Sequence, residues 1–100
     1  MFHINVWLTA KDPANVSKLR DLLSQASELS RKEPGCARFE VYHSEMDETK
    51  FLLCEHWETK EAWEVHKTLE AFTTIYQPQV LPIVEREGHF CQQINPLKSS

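Results

Sequence analysis

The sequence lacks the features that mark several large functional classes. It has no cluster of Lys and Arg and carries a net charge of −4, which argues against nucleic acid or an anionic membrane surface as a partner. None of its apolar runs approaches the roughly 20 residues that a membrane span requires. Residues 1–10 contain neither a basic segment nor a cleavage site and enter a strand pattern directly. We therefore expect a cytoplasmic protein.

Metal-binding and redox motifs are also missing. The three cysteines are far apart and form no C-x-x-C pair, and the five histidines show no zinc-type spacing. We therefore expect buried, reduced thiols and no metal site. The composition, 41% hydrophobic and 26% charged, is that of a globular domain. We predict a single domain over residues 1–95 and a flexible C-terminal tail over residues 96–100.

The sequence does contain two successive segments with the predicted order strand, helix, strand. Alternating or continuous apolar residues predict strands at 2–9, 36–45, 51–58 and 89–94. Helical spacing predicts helices that begin after Asp12-Pro13, after Thr59 and after Thr68. This order is typical of the ferredoxin-like split βαβ fold, an α+β architecture in which a four-stranded antiparallel sheet carries its helices on one face.

The first strand has two uncharged faces. Ile4, Val6 and Leu8 lie on one face, and Asn5 and Trp7 lie on the other. Because a sheet with helices on one side leaves its second face bare, we expect the wholly apolar face to pack against a second copy of the chain. The pattern thus predicts a homodimer closed into an α+β barrel, with Asn5 and Trp7 facing the subunit's own helices.

The range Lys50–Tyr76 carries the residues with the clearest chemical potential. An apolar strand leads into a helix capped by Thr59, and His66 lies on the apolar stripe of that helix. An imidazole can act as a base near neutral pH. His66 can equally be a hydrogen-bonded packing residue, and the rings of Trp63 and Phe72 can belong to the core before they line a pocket.

This range also resembles the antibiotic biosynthesis monooxygenase (ABM) family. The family pattern is an apolar strand ending in Glu-x-Trp, a small helix with Ala and His, and then a Phe, which here are Glu55, Trp57, Ala62, His66 and Phe72. Pro-Gly-Cys at 34–36 and Phe-Glu-Val-Tyr at 39–42 also fit, so the resemblance extends over residues 2–94. The chain departs from the family at 69–71, where Leu-Glu-Ala replaces the common Ser-Pro-His.

The resemblance implies a dimeric α+β barrel with a pocket between the sheet and the helices of each subunit. It also implies a monooxygenase reaction, without a cofactor, between O2 and a small quinol or similar enolisable aromatic. Such an enzyme must deprotonate its substrate, stabilise the resulting anion and exclude water. By this resemblance the candidate catalytic residues are Asn5, His66 and Tyr76, and the candidate substrate-binding residues are Trp7, Trp63 and Phe72.

Two other functions remain open at this point. The same base and hydrogen-bond donor would serve an isomerase or another proton-transfer enzyme of the autoinducer-2 phosphate isomerase type. A dimer that binds haem or another small molecule without catalysis is a third possibility, from a different functional class. The residues alone do not separate these three functions.

Overall fold

The computed structural model describes residues 1–96, whose framework is a four-stranded antiparallel sheet. The elements in chain order are β1 (Phe2–Ala10), α1 (Val16–Ser30), β2 (Cys36–His43), β3 (Lys50–Trp57), α2 (Lys60–His66), α3 (Ala71–Val80) and β4 (Val84–Cys91). The strand order is β2-β3-β1-β4, with β1 paired to both β3 and β4. The helices cover one face of this sheet, so the predicted ferredoxin-like architecture is confirmed. Apart from Pro96, the predicted tail at 96–100 lies outside the described residues.

The first two helices begin as their capping residues predict. The carboxylate of Asp12 accepts a hydrogen bond from the backbone N–H of Ala14 at 2.9 Å and opens a 3₁₀ turn that leads into α1. The hydroxyl of Thr59 accepts from the N–H of Ala62 at 3.0 Å and opens α2. The apolar stripe of α1 is buried against the sheet, and its buried apolar residues are Leu19, Leu22, Leu23 and Ala26.

The segment after α2 differs from the prediction. Thr68 does not cap a helix, because its hydroxyl donates to the Val65 carbonyl at 2.6 Å. The next helix, α3, begins at Ala71, has the wide π-type hydrogen-bond spacing and continues through Pro78. Pro78 has no N–H to donate within this helix, and the side-chain amide of Gln79 donates to the Thr74 carbonyl at 2.9 Å.

The last strand, β4, starts earlier than predicted. It begins at Val84 rather than at residue 89, and Gly88 lies inside it opposite Val6. All residues of β4 after Val84 are exposed. An exposed strand needs no alternation of apolar and polar residues, and the sequence pattern therefore missed it.

The two faces of β1 are inverted relative to the prediction. Ile4, Val6 and Leu8 are at most 2% exposed and belong to the core beneath the helices, whereas Asn5 and Trp7 lie on the uncovered face, where Trp7 is 46% exposed. Alternation shows that the two sets point in opposite directions, but it does not show which set meets the helices. The apolar stripe of α1 needs an apolar partner, so the wholly apolar set is buried within the protomer. The prediction that this set forms the dimer interface is therefore wrong.

The uncovered face of the sheet is mixed in character. Trp7, Leu52 and Tyr42 are cross-strand neighbours and form an apolar row across β1, β3 and β2, with Trp7 and Tyr42 46% and 48% exposed. Beside this row, Arg38 forms an ion pair with Glu40 at 2.6 Å. The face thus combines a partly exposed apolar row with charged groups that pair with one another.

The cysteines are free thiols, but they are not all buried. Cys36 and Cys54 are partly buried, and Cys91 is exposed, so the prediction of buried thiols is wrong for Cys91. Burial raises the pKa of Cys36 to about 11, and the nearby carboxylate of Glu33 adds to this effect. Within residues 1–96 no helix is long and apolar enough to cross a membrane. The same residues contain no group of three or more His, Cys, Asp or Glu side chains arranged to hold a metal ion.

Candidate active site

A cavity of about 220 Å³ lies between the sheet and the helices. An engineered apolar cavity of about 150 Å³ binds benzene, so this one has room for one substituted ring or two small fused rings. Most of its wall is apolar, with side chains that include Ile4, Leu23, Phe39, Leu53, Trp63 and Phe72. The polar or charged side chains in its wall are Ser30, Glu55, His66, Lys67, Tyr76 and Arg86.

A hydrogen-bonded His–Glu pair stands at this cavity. Nδ1 of His66 lies 2.6 Å from Oε1 of Glu33, and the two side chains are only 7% and 9% exposed. The imidazole packs on Trp57, with 4.6 Å between ring centroids, and on Phe72 at 5.9 Å. No residue among 1–96 forms a hydrogen bond to the other ring nitrogen, Nε2. With Nδ1 held by a carboxylate, Nε2 is the nitrogen that remains for a ligand in the cavity.

Local structure brings the two members of this pair together. The Thr59 cap sets the start of α2, and His66 is its last residue. Glu33 lies in the turn after α1, and this turn passes close to α2 through Gly35, whose φ is +82°. A Cβ on Gly35 would come within 2.6 Å of Cβ of Ala62, so only glycine allows this approach. The turn is thereby held against α2, with Glu33 beside His66.

Glu55 is a second buried carboxyl group in the cavity. Its side chain lies on the helix-facing side of β3, the residue is 6% exposed, and Oε1 accepts a hydrogen bond from Nε1 of Trp57 at 3.1 Å. Burial raises the pKa of Glu55, while the Trp57 hydrogen bond and the charge of His66 oppose that rise. The carboxyl group therefore keeps its proton to a higher pH than an exposed glutamate does. The sequence did contain a signal for this placement, because Glu55 alternates in phase with the buried Leu53 and Trp57.

Tyr76 contributes a phenol to the same cavity. Its oxygen accepts a hydrogen bond from Nε of Arg86 at 2.9 Å, and its ring packs 5.4 Å from that of Phe72. Burial raises the pKa of Tyr76, and the positive charge of Arg86 acts in the opposite direction. Because Arg86 donates to the phenol oxygen, the phenol's own O–H remains available to donate to a ligand.

The structure brings together four of the six side chains that the sequence singled out. His66, Tyr76, Trp63 and Phe72 all line the cavity. Asn5 and Trp7 lie on the opposite face of the sheet, where the Asn5 amide donates to Sγ of Cys91 at 3.2 Å. The prediction that Asn5 and His66 share one cavity is therefore wrong, and it fails because the faces of β1 are inverted.

The topology and the cavity together define a ferredoxin-like α+β domain with a ring-sized cavity between its sheet and its helices. The sequence model of the antibiotic biosynthesis monooxygenase (ABM) family matches residues 1–77, and the chain belongs to this family.

Individual relatives are consistent with that assignment. The uncharacterized protein YjcS of Bacillus subtilis (strain 168) is 32% identical over 85 residues, which is 85% of this chain and 80% of that protein. The crystal structure of an antibiotic biosynthesis monooxygenase superposes with a TM-score of 0.86 at 19% identity, covering 94% of this chain and 99% of the other. The crystal structure of protein PA3566 from Pseudomonas aeruginosa superposes with a TM-score of 0.74 at 20% identity, covering 92% and 95%. At these identities the superpositions establish a shared fold.

Proposed function

We propose that the protein is a cofactor-independent monooxygenase that uses O2 to oxidise a small quinol or similar enolisable aromatic in the cavity beneath its helices. Membership of the ABM family supports this proposal. The observation that carries it is the His66–Glu33 pair, whose carboxylate holds one ring nitrogen while the other has no partner among residues 1–96. A base held in this way at the wall of a ring-sized apolar cavity suits the deprotonation of a phenol.

In the proposed reaction, Nε2 of His66 takes a hydroxyl proton from the bound quinol, and Glu33 stabilises the imidazolium that forms. The electron-rich anion then reduces O2, which reacts poorly with closed-shell molecules. One oxygen atom bonds to a ring carbon and the other leaves as water. For 1,4-dihydroxynaphthalene, one quinol and one O2 give one 2-hydroxy-1,4-naphthoquinone and one H2O.

The other cavity residues have supporting roles in this proposal. The rings of Trp63 and Phe72 form flat apolar walls that would stack on an aromatic substrate and keep water away from its anion. The O–H of Tyr76 can donate to an anionic oxygen, because Arg86 already supplies the hydrogen bond that the phenol oxygen accepts.

The proposal includes a homodimer formed through the uncovered sheet face. The row of Trp7, Leu52 and Tyr42 supports it, because an apolar row across three strands favours contact with a second apolar surface. In this arrangement Trp7 lies at the interface and not at the substrate, and Asn5 lies beside it. The cytoplasmic location stays a prediction of the sequence.

An oxygen electrode with 1,4-dihydroxynaphthalene tests the reaction. The protein should accelerate O2 uptake above the rate of autoxidation, without releasing H2O2, and ¹⁸O2 should leave one labelled atom in the hydroxyquinone. His66→Ala should lower the rate about 100-fold or more, the usual contribution of a positioned base. The matched control is His89→Ala, which removes an exposed imidazole on β4 opposite Asn5, on the face of the sheet away from the cavity. An unchanged rate in His66→Ala would refute the assignment of the base.

A proton-transfer isomerase is the second candidate, and the buried Glu55 favours it. Two titratable groups in one cavity, Glu55 and His66, could pass a proton between neighbouring carbons of a substrate. Lys67 and Arg86 in the same wall could pair with a phosphorylated substrate, although Lys67 lies over the Trp63 ring at 4.1 Å. Deuterium uptake by a ketose phosphate in D2O, without O2 consumption, would favour this reaction over oxygenation.

The cavity does not favour haem binding. A porphyrin joins four five-membered rings in one plane, and a volume of about 220 Å³ suits one or two rings. Haemin added to the protein should therefore give no Soret band that depends on His66.

A further inference from the structure

Ser30 is a buried hydroxyl group that has no partner within the protein. It is the last residue of α1 and is 0% exposed, and its Oγ forms no hydrogen bond with any atom of residues 1–96. A serine in a helix usually donates to the carbonyl four residues earlier, and Ser30 does not. Buried polar atoms without partners are uncommon, because their desolvation is not compensated. Its Oγ has no accessible surface, but Ser30 is one of the residues that line the cavity, so a rotation of the side chain would bring Oγ to a ligand there.

Glu55 offers a second unused polar atom in the wall of this cavity. Its only hydrogen bond among the described residues uses Oε1, which leaves Oε2 for the cavity. The end of α1 is tied to β2 by Ser27, whose hydroxyl donates to the Phe39 carbonyl at 3.1 Å. Phe39 is the cross-strand neighbour of Glu55. Ser30, Phe39 and Glu55 are all wall residues of the cavity.

We propose that the Ser30 hydroxyl and Oε2 of Glu55 form a hydrogen-bonding subsite for an oxygen substituent of the ligand. This subsite deepens the proposed function and rests on it, because it assigns a place to a second oxygen of the substrate while His66 meets the first. The substrate is then an uncharged ring with two oxygen substituents, one deprotonated by His66 and one held by Ser30 and Glu55.

The chemistry of the two groups specifies what they bind. The Ser30 hydroxyl can donate, and Glu55 can also donate at pH values below its raised pKa, where the carboxyl group is protonated. Two donors suit an oxygen with two lone pairs, such as a ketone or a phenol oxygen. His66 has the opposite property, since Nδ1 donates to Glu33 and leaves Nε2 as an acceptor. A ketone therefore probes the Ser30–Glu55 subsite without engaging His66.

Binding of 1-tetralone, compared with tetralin, tests the subsite. The two probes have the same fused rings, and only 1-tetralone carries a carbonyl oxygen. Ser30→Ala should weaken 1-tetralone about 2- to 10-fold, the usual contribution of one neutral hydrogen bond, and leave the affinity for tetralin unchanged. Glu55→Gln should keep the 1-tetralone affinity within about twofold, because the amide can still accept from Trp57 and donate to the ketone. Equilibrium dialysis measures both affinities.

Ser27→Ala is the matched control for this experiment. Ser27 is buried on the same helix, but its hydroxyl bonds to Phe39 and accepts from Arg31 at 3.2 Å. Ser27→Ala should lower the melting temperature and leave the 1-tetralone affinity unchanged. Ser30→Ala should leave the melting temperature unchanged, since its hydroxyl has no partner to lose, and should weaken the binding of 1-tetralone.

Three outcomes would overturn the subsite: wild-type affinity for 1-tetralone in Ser30→Ala, an equal loss of affinity for tetralin, or no binding of either probe to the wild type. The assay needs neither O2 nor turnover, so it separates the two proposals. A selective loss in Ser30→Ala without oxidation of the naphthalene quinol would retain the subsite and refute the oxygenase. Quinol oxidation by the wild type, with unchanged 1-tetralone binding in Ser30→Ala, would retain the oxygenase and refute the subsite.

Discussion

Replacing Glu33 with glutamine tests whether the His–Glu pair acts in catalysis or only in packing. Glutamine has nearly the same shape and can still accept a hydrogen bond from Nδ1 of His66, so the fold and the ring position should be retained. What is lost is the negative charge 2.6 Å from the imidazole, in a pair whose side chains are 7% and 9% exposed. That charge matters most when the imidazole has taken up the substrate proton.

The expected size of the effect follows from this geometry. A hydrogen bond to a charged group contributes roughly 1.5–3 kcal/mol, against about 0.5–1.5 kcal/mol for a neutral one. Because the imidazole becomes positively charged only as it takes up the proton, its attraction to the Glu33 carboxylate strengthens in the transition state and not in substrate binding. Glu33→Gln should therefore lower kcat about 10-fold, and up to about 100-fold, with little change in KM.

Oxygen uptake with 1,4-dihydroxynaphthalene measures this effect, and Glu28→Gln is the matched control. Glu28 is an exposed carboxylate on α1 that pairs with Arg31, so its replacement should leave the rate unchanged. In a His66→Ala background, Glu33→Gln should cause no further loss, since Glu33 acts through the imidazole. A folded Glu33→Gln variant with the wild-type kcat would show that the pair is a packing feature and would refute the reasoning.

Three further predictions concern other parts of the molecule. Asn5→Ala should keep turnover within about threefold of the wild type, because Asn5 lies on the opposite face of the sheet from His66; a 100-fold loss measured by oxygen uptake would restore Asn5 as a catalytic residue. The pKa of Glu55 is raised in the folded state above the ordinary glutamate value of 4.5. Between these two pKa values the folded protein therefore binds more protons than the unfolded one. The free energy of unfolding falls as the pH rises through the raised pKa. Urea unfolding should therefore find Glu55→Gln gaining stability relative to the wild type from pH 4 to pH 8, and a constant difference would contradict the raised pKa. Trp7→Glu should convert the proposed dimer to folded monomers, as measured by sedimentation. Val6→Asp should instead unfold the chain, because it buries a charge in the core. A Trp7→Glu variant that stays dimeric would argue against this interface.

Much of the fold could be predicted from local sequence. The apolar stripe of α1, the caps at Asp12 and Thr59 and the alternation in β1 each depend on neighbouring residues, and the structure retains all three. The order of these elements was enough to predict the ferredoxin-like sheet. Local patterns failed in α3 and β4, where a π-type helix runs through Pro78 and an edge strand has no buried alternation.

The candidate site could be predicted only in part. The position of His66 on the apolar stripe of α2 was visible in its spacing, and so was the helical neighbourhood of Trp63. The partner of His66 was not visible, because Glu33 is 33 residues away and reaches the imidazole only after Gly35 brings its turn against α2. The unpartnered hydroxyl of Ser30 likewise has no sequence signature, since it depends on which atoms surround the end of α1.

The sequence by itself determined the order of the elements, the caps of the first two helices and the family, because periodicity, capping and motif spacing are properties of neighbouring residues. Only the tertiary structure decided which face of β1 meets the helices. Both faces of that strand are uncharged, so alternation allows either orientation, and the choice depends on burying the apolar stripe of a helix that lies elsewhere in the chain. That choice buried Ile4, Val6 and Leu8 under the helices, left Asn5 on the open face, and separated it from the cavity that His66 shares with Glu55 and Ser30.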